Sequence, residues 1–224
     1  MGRKSPQSDT PSAGAAYDNG VSMRAVFAGH AAPPSLTTLA MALTATVYHF
    51  RIELSDVDRG VYEALDLRPA LHPSETLRYL LTRVLAYALS YEEGIALCRG
   101  LSFTEEPAVW VRHPDGRVAL WIDVGRPSIE RLHKASKAAE RVRVFTHEDP
   151  ELLRREARGA KLHRGEDIEV WRVDPALLAA LEEVVARNTS LGVVHTEGTL
   201  YVTVGGRTLE GALSRAPLVD RAPG

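Results

Sequence analysis

Residues 105–137, EEPAVWVRHPDGRVALWIDVGRPSIERLHKASK, decide how the chain folds. They read as a strand, a tight turn, a second strand and a helix. His113-Pro114-Asp115-Gly116 is strong turn chemistry between two runs rich in β-branched and aromatic residues. Beyond the turn, Val118, Leu120, Ile122 and Val124 alternate onto one face, and Ala119, Trp121, Asp123 and Gly125 onto the other. An acid on an otherwise apolar strand calls for an explanation.

The hairpin register supplies one. If residues near 113 and 117 pair, facing residue numbers sum to about 230, and Asp123 lies opposite a residue near 107. Glu105 and Glu106 then approach Asp123, with cross-strand Cβ atoms roughly 5 Å apart. Two carboxylates that close repel unless a proton or a cation lies between them. Under that repulsion, Asp123→Asn is expected to stabilise the metal-free protein slightly. A hard divalent cation, Mg²⁺ or Mn²⁺, is bound by one or two such carboxylates with phosphate oxygens and water. By spacing alone, an edge hairpin with solvated acids is the simpler reading.

Further motifs carry a resemblance. HPSET at 72–76 followed by Arg83, EEP before Trp110, LWIDVG at 120–125 and the segment 127–134 are similar to the YaeQ family of bacterial proteins. The fold of that family resembles the PD-(D/E)XK nucleases. The resemblance runs from Met41 to about Gly211. It implies a single α/β domain of restriction-endonuclease-like (PD-(D/E)XK) form, a mixed sheet flanked by helices, over residues 41–213. Residues 1–40 are then a disordered N-terminal extension and 214–224 a flexible tail.

The same resemblance implies a magnesium site at Glu106 and Asp123, joined by Glu75 from the first core helix. The nuclease signature wants an Asp after a Pro, then an acid, any residue and a Lys on the next strand. Here Glu106 precedes Pro107, and Gly125 stands where the Lys belongs. Lys134, on the following helix, is the nearest cation with a place in the motif. The implied reaction is Mg²⁺-dependent phosphodiester hydrolysis, with the metal activating a water and Lys134 stabilising charge on the phosphate. The missing strand lysine and near-neutral charge favour another class, a non-catalytic binding or regulatory protein of the same fold.

Composition narrows the partners. The chain has 224 residues, 45% of them hydrophobic, enough for one real core. A formal net charge of −2 provides no global field to draw in nucleic acid or membrane. Nucleic-acid binding must therefore come from a local patch. The most basic segment is the helix expected from Ser128 to about Arg141. Its Arg131, Lys134, Lys137 and Arg141 share one arc, opposite Ile129, Leu132, Ser136 and Ala139. Arg126 extends the positive charge, so Arg126, Arg131 and Lys137 are the phosphate-contact candidates. Glu130 offers Lys134 a competing i, i+4 ion pair. The single cysteine, Cys98, suits a reducing cytoplasm and reads as an inert buried thiol. No apolar stretch approaches the roughly 20 residues that cross a bilayer.

The remaining chain supplies expected elements. A first strand covers 43–54, with a turn at 55–60. Ser74 is expected to cap a helix with Glu75 in its first turn. Leu77, Leu80, Leu81, Val84, Leu85, Ala88 and Leu89 form its core stripe, and Glu75 points away from them. Strands at 141–146 and 167–173, helices at 151–158 and 176–187, and a final hairpin around Glu197-Gly198 complete the reading.

Overall fold

The computed structural model describes residues 45–98 and 105–220. The expected extension at 1–40 lies outside the described residues. The chain begins with β1 (Thr46–Val47), β2 (His49–Asp56), β3 (Val61–Leu67), β4 (Ala70–Leu71) and α1 (Leu77–Leu89). Next come β5 (Ile95–Leu97), β6 (Val109–Arg112), β7 (Val118–Val124), α2 (Ile129–Ala138) and β8 (Ala139–Thr146). The last part holds α3 (Glu151–Arg158), β9 (Ile168–Val173), α4 (Pro175–Val184), β10 (Asn188–Thr196), β11 (Thr199–Val204) and β12 (Arg207–Pro217).

Ten of these strands make one curled mixed sheet in the order β3-β2-β10-β11-β12-β9-β8-β7-β6-β5. β2 and β10 run parallel, as do β7, β8 and β9 in turn. β1 and β4 pair separately. Alternation drives the outer part of the sheet. Phe50, Ile52 and Leu54 of β2 point inward with Leu191 and Val193 of β10, while their neighbours are exposed or half-buried.

β7 is different, because both its faces are covered. Leu120, Ile122 and Val124 join the larger core with α1 and α4, whereas Trp121 packs in a second core with Leu132 and Ala135 of α2 and Leu153 of α3. The parallel crossover from β7 through α2 to β8 lays the helix over that second face. Asp123 has the parity of Trp121, so it points at α2. Among the described residues, no helix is long and apolar enough to cross a membrane.

Several expected boundaries move. Thr76, not Ser74, caps α1, its hydroxyl accepting from the Tyr79 amide at 3.1 Å. Ser74 instead meets the His72 ring at 2.7 Å. Glu75 therefore precedes the helix, its direction escapes the helical angle, and it turns inward rather than away from the core. The core stripe of α1 is buried as its spacing requires, with Leu77 packed at its margin. α2 stops at Ala138 instead of Arg141, because the alternating run AERVRVFT pairs with β7 from Ala139 onward.

No strand is expected from the sequence at 61–67 or 207–217. β3 is an edge strand with one face exposed, and its Glu, Ala and Leu content mimics a helix. β12 replaces the expected disorder from Ser214: pairing with β9 runs to Pro217, and Leu218 is buried.

Gly211 explains how α4 comes so close to β12. A Cβ at that position would lie 2.6 Å from Leu177 Cβ and 3.0 Å from Asp174 Cβ. Those atoms are fixed to the helix backbone and cannot rotate aside. Gly211→Ala is expected to destabilise the protein by about 1–3 kcal/mol. A thermal melt beside Ala212→Ser, at the exposed neighbouring position, checks this. Equal melting temperatures would show that α4 does not depend on the missing side chain.

Candidate functional site

The site starts from one buried carboxylate. β7 presents Asp123 toward α2, and α2 is anchored by Ser128, whose Oγ accepts from the Arg131 amide at 3.2 Å. That cap fixes the first turn and aims Arg131 back along the strand. Its Nε donates to Asp123 Oδ2 at 2.9 Å, and Nη2 donates to Oδ1 at 2.7 Å. Nη2 also donates to the Glu106 backbone carbonyl at 2.7 Å. The Asp123 side chain is 4% exposed and that of Arg131 27%. Bidentate pairs of this kind are among the strong charge-assisted hydrogen bonds. Burial works against the charge on Arg131, but the hydrogen bonds and charge of Asp123 outweigh it and hold its pKa above the ordinary value. The guanidinium also lies over Trp121, 5.5 Å from the ring centroid.

The hairpin register differs by one from expectation. Arg112 faces Val118, but a bulge follows, and Val111, Trp110 and Val109 face Leu120, Trp121 and Ile122. Asp123 thus falls level with position 108, and the Ala108 amide bonds the Ile122 carbonyl at 2.9 Å. The carboxylate of Asp123 is neutralised by a neighbouring cation of the chain itself. The cation beside Asp123 is Arg131, a residue that the basic arc of α2 had assigned to nucleic acid.

Asp123 and Arg131 line a cleft of about 420 Å³ that Glu105, Glu106, Tyr79, Arg126 and Lys134 also line. Three of the four residues expected to converge, Glu106, Asp123 and Lys134, therefore share one cleft. Glu75 is not on its wall. Its buried carboxylate accepts from the His72 amide at 3.0 Å and lies 3.7 Å from Arg83 Nη1. Arg83 is buried too, and its Nη2 donates to the Ala70 carbonyl at 2.8 Å. The Lys134 ammonium stands 3.3 Å from Glu130, with both side chains well exposed at 67% and 81%. Lys137 is exposed and does not line the cleft.

Two further residues define the chemistry. Tyr79 lines the cleft from α1, and burial pushes its phenol up to about 12, with the charge of Glu75 and Asp123 adding to the rise and Arg83 and Arg131 opposing it. It is a neutral hydrogen-bond donor at physiological pH. Tyr79 lies off the apolar stripe of α1, and the tertiary fold brings it to the cleft. Gly125 has φ +86°, and a Cβ there would meet nothing within 4 Å. Conformation, not space, keeps a side chain out of the expected lysine position. Burial likewise pushes the half-buried Cys98 up to about 12, with Glu106 adding to the rise, so the thiol is inert.

The donor set tests a metal directly. Two carboxylate oxygens and one carbonyl oxygen around one guanidinium are also ligand types for a hard cation. A guanidinium already takes all three, and a second cation beside it would be repelled. Among the described residues, no group of three His, Cys, Asp or Glu is placed to hold a metal ion. With Arg131 seated, the residues do not fit a divalent metal.

Comparison with known proteins agrees on one family. The family described as YaeQ protein matches residues 41–213. An uncharacterized YaeQ protein of Salmonella typhi is 30% identical over 171 residues, covering 76% of this chain and 94% of its own. Its Escherichia coli counterpart is 29% identical over the same length. The crystal structure of YaeQ from Pseudomonas syringae is similar at 34% identity and a TM-score of 0.70, covering 76% of this chain and 95% of that one. The YaeQ structure from Xanthomonas axonopodis pv. citri, 30% identical, also gives a TM-score of 0.70, over 78% of this chain and 100% of that one.

The pairing reverses the expected sign of Asp123→Asn. The amide cannot accept both guanidinium bonds, and Arg131 loses its counter-charge. The substitution is expected to destabilise by about 2 kcal/mol, the lower part of the range for breaking a buried pair, because Arg131 is partly exposed. Lys134→Ala, at an exposed ion pair, is expected to cost a few tenths of a kcal/mol. Urea denaturation of both variants checks the contrast. A stabilised Asp123→Asn protein would restore the picture of repelling acids.

Proposed function

The chain belongs to the YaeQ family, and from the chemistry of its cleft we propose that this member binds nucleic acid through phosphate groups without cutting it. The fold is read as a variant of the PD-(D/E)XK nuclease fold, as the sequence motifs imply. The observation that carries the proposal is the bidentate closure of Asp123 by Arg131 in the cleft that Arg126 and Lys134 also line. Arg126 is exposed and has no ion pair among the described residues. Among the described residues Lys134 is held only by the exposed Glu130, a weak pair that a phosphate can displace. Tyr79 adds a neutral donor within the same cleft.

The cleft is not broadly basic. Glu105, Glu106, Asp123 and Glu130 line it beside Arg126, Arg131 and Lys134. Binding is therefore local, at one or two phosphates, and its strength falls in the range of non-specific complexes, roughly 10⁻⁴–10⁻⁶ M.

A second reading, Mg²⁺- or Mn²⁺-dependent phosphodiester hydrolysis, is favoured by one observation: Glu105 and Glu106 share the cleft with Asp123. It requires Arg131 to leave the carboxylate.

Fluorescence anisotropy of a labelled single strand in EDTA tests the proposal. Binding is expected to weaken with salt, with a log–log slope of about −1.4 for two phosphate contacts, and Arg126→Ala is expected to reduce it by about 0.7. Absence of binding would sink the reading. Cleavage of the strand in Mn²⁺, lost in Asp123→Asn, would replace it with the second.

A further inference from the structure

We propose that Arg131 is a built-in substitute for a divalent metal, its guanidinium filling a seat whose oxygens would otherwise accept a hard cation. Three contacts define that seat: Asp123 Oδ2 at 2.9 Å, Asp123 Oδ1 at 2.7 Å and the Glu106 carbonyl at 2.7 Å. The oxygens come from two chain segments, the strand β7 and the residues that precede β6. A metal bound there would join the same two segments. Arg131 adds a third, because the Ser128 cap fixes its own backbone on α2.

The charge balance points the same way. Among the described residues Asp123 has Arg131 alone as its cation, and its side chain is nearly sealed from water. Removing the guanidinium leaves a buried carboxylate uncompensated, which is strongly unfavourable. Glu105 and Glu106 stand on the same cleft wall and add negative charge. Such a site gains from any small cation that can enter, and the cleft provides the entry. Gly125, held at φ +86°, supplies no lysine that could take over the role.

The inference rests on the geometry of the seat, and it holds whether or not the cleft takes nucleic acid. Its test therefore uses Mn²⁺ alone, with no oligonucleotide present. Wild-type protein in millimolar Mn²⁺ is expected to show neither a binding heat nor a rise in melting temperature. Arg131→Ala is expected to melt lower, to bind one Mn²⁺ at least about tenfold more tightly than wild type, and to recover stability on binding it. Arg131→Ala/Asp123→Asn is expected to lose the Mn²⁺ response and to melt higher than Arg131→Ala without metal. Lys134→Ala, at an exposed pair in the same cleft, is expected to gain no affinity.

Arg131→Met keeps the side-chain length over Trp121 and serves if the alanine variant does not fold. If neither folds in EDTA, refolding in Mn²⁺ decides: recovery supports the inference, and failure to recover overturns it. Wild-type protein that binds Mn²⁺ as tightly as the variants overturns it as well, as does a folded variant with no Mn²⁺ response.

Discussion

A carboxylate in the middle of a doubly covered strand must have a counter-charge, and the fold is arranged to deliver one. Asp123 lies on β7, between two cores, where an unpaired charge would cost several kcal/mol. The crossover that places α2 over β7 also brings Arg131 within reach, and the Ser128 cap sets its first turn. Among the described residues, the other buried acids are Asp56 and Glu75, and each is answered in a similar way. Glu75 faces Arg83 across 3.7 Å. Asp56 lies 2.9 Å from His195 Nδ1 and 3.4 Å from Arg59 Nη1. The parallel register of β2 and β10 sets His195 directly beside Asp56, so topology creates that contact. Arg59 then bonds the carbonyls of Leu89 and Tyr91 at 2.8 and 2.6 Å, tying the end of α1 to the sheet. Each inward acid thereby fastens one part of the fold to another.

Much of the fold was legible because it follows local chemistry. The turn at residues 113–116, the alternation along β7, the apolar stripe of α1 and the Asp174-Pro175 start of α4 need only short-range patterns. What failed has a common cause. The extent of β12, the early end of α2 and the inward turn of Glu75 are all set by partners distant in sequence. β12 exists because β9 and β11 flank it, and its Gly211 breaks the apolar pattern for the sake of α4.

The candidate site divides along the same line. Motif resemblance brought out Glu106, Asp123 and Lys134, and they do share a cleft. The partner of Asp123 was not readable. Asp123 and Arg131 are eight residues apart, spanning a strand, a left-handed glycine and a helix cap. No helix or strand period links such positions. A helical wheel grouped Arg131 with Lys134 and Lys137 by sign of charge, yet Arg131 lies at the junction of helix and strand while the two lysines face solvent. A one-residue bulge shifted the position facing Asp123 from about 107 to 108.

The identity of the cation in that seat bears on what the cleft can do. A divalent metal and a guanidinium both neutralise Asp123 and attract phosphate, but they differ toward water. A metal acts as a Lewis acid and lowers the pKa of a bound water toward neutrality, creating a nucleophile. Arginine has no open coordination position and stays protonated at any physiological pH, so it donates hydrogen bonds and generates no hydroxide. Nor can Tyr79, a phenol held neutral up to about 12, remove the proton instead. Lys134 already answers Glu130. With Arg131 seated on Asp123 the cleft presents a fixed positive charge in place of a Lewis acid, and activation of water there would fall to the carboxylates of Glu105 and Glu106 on its wall.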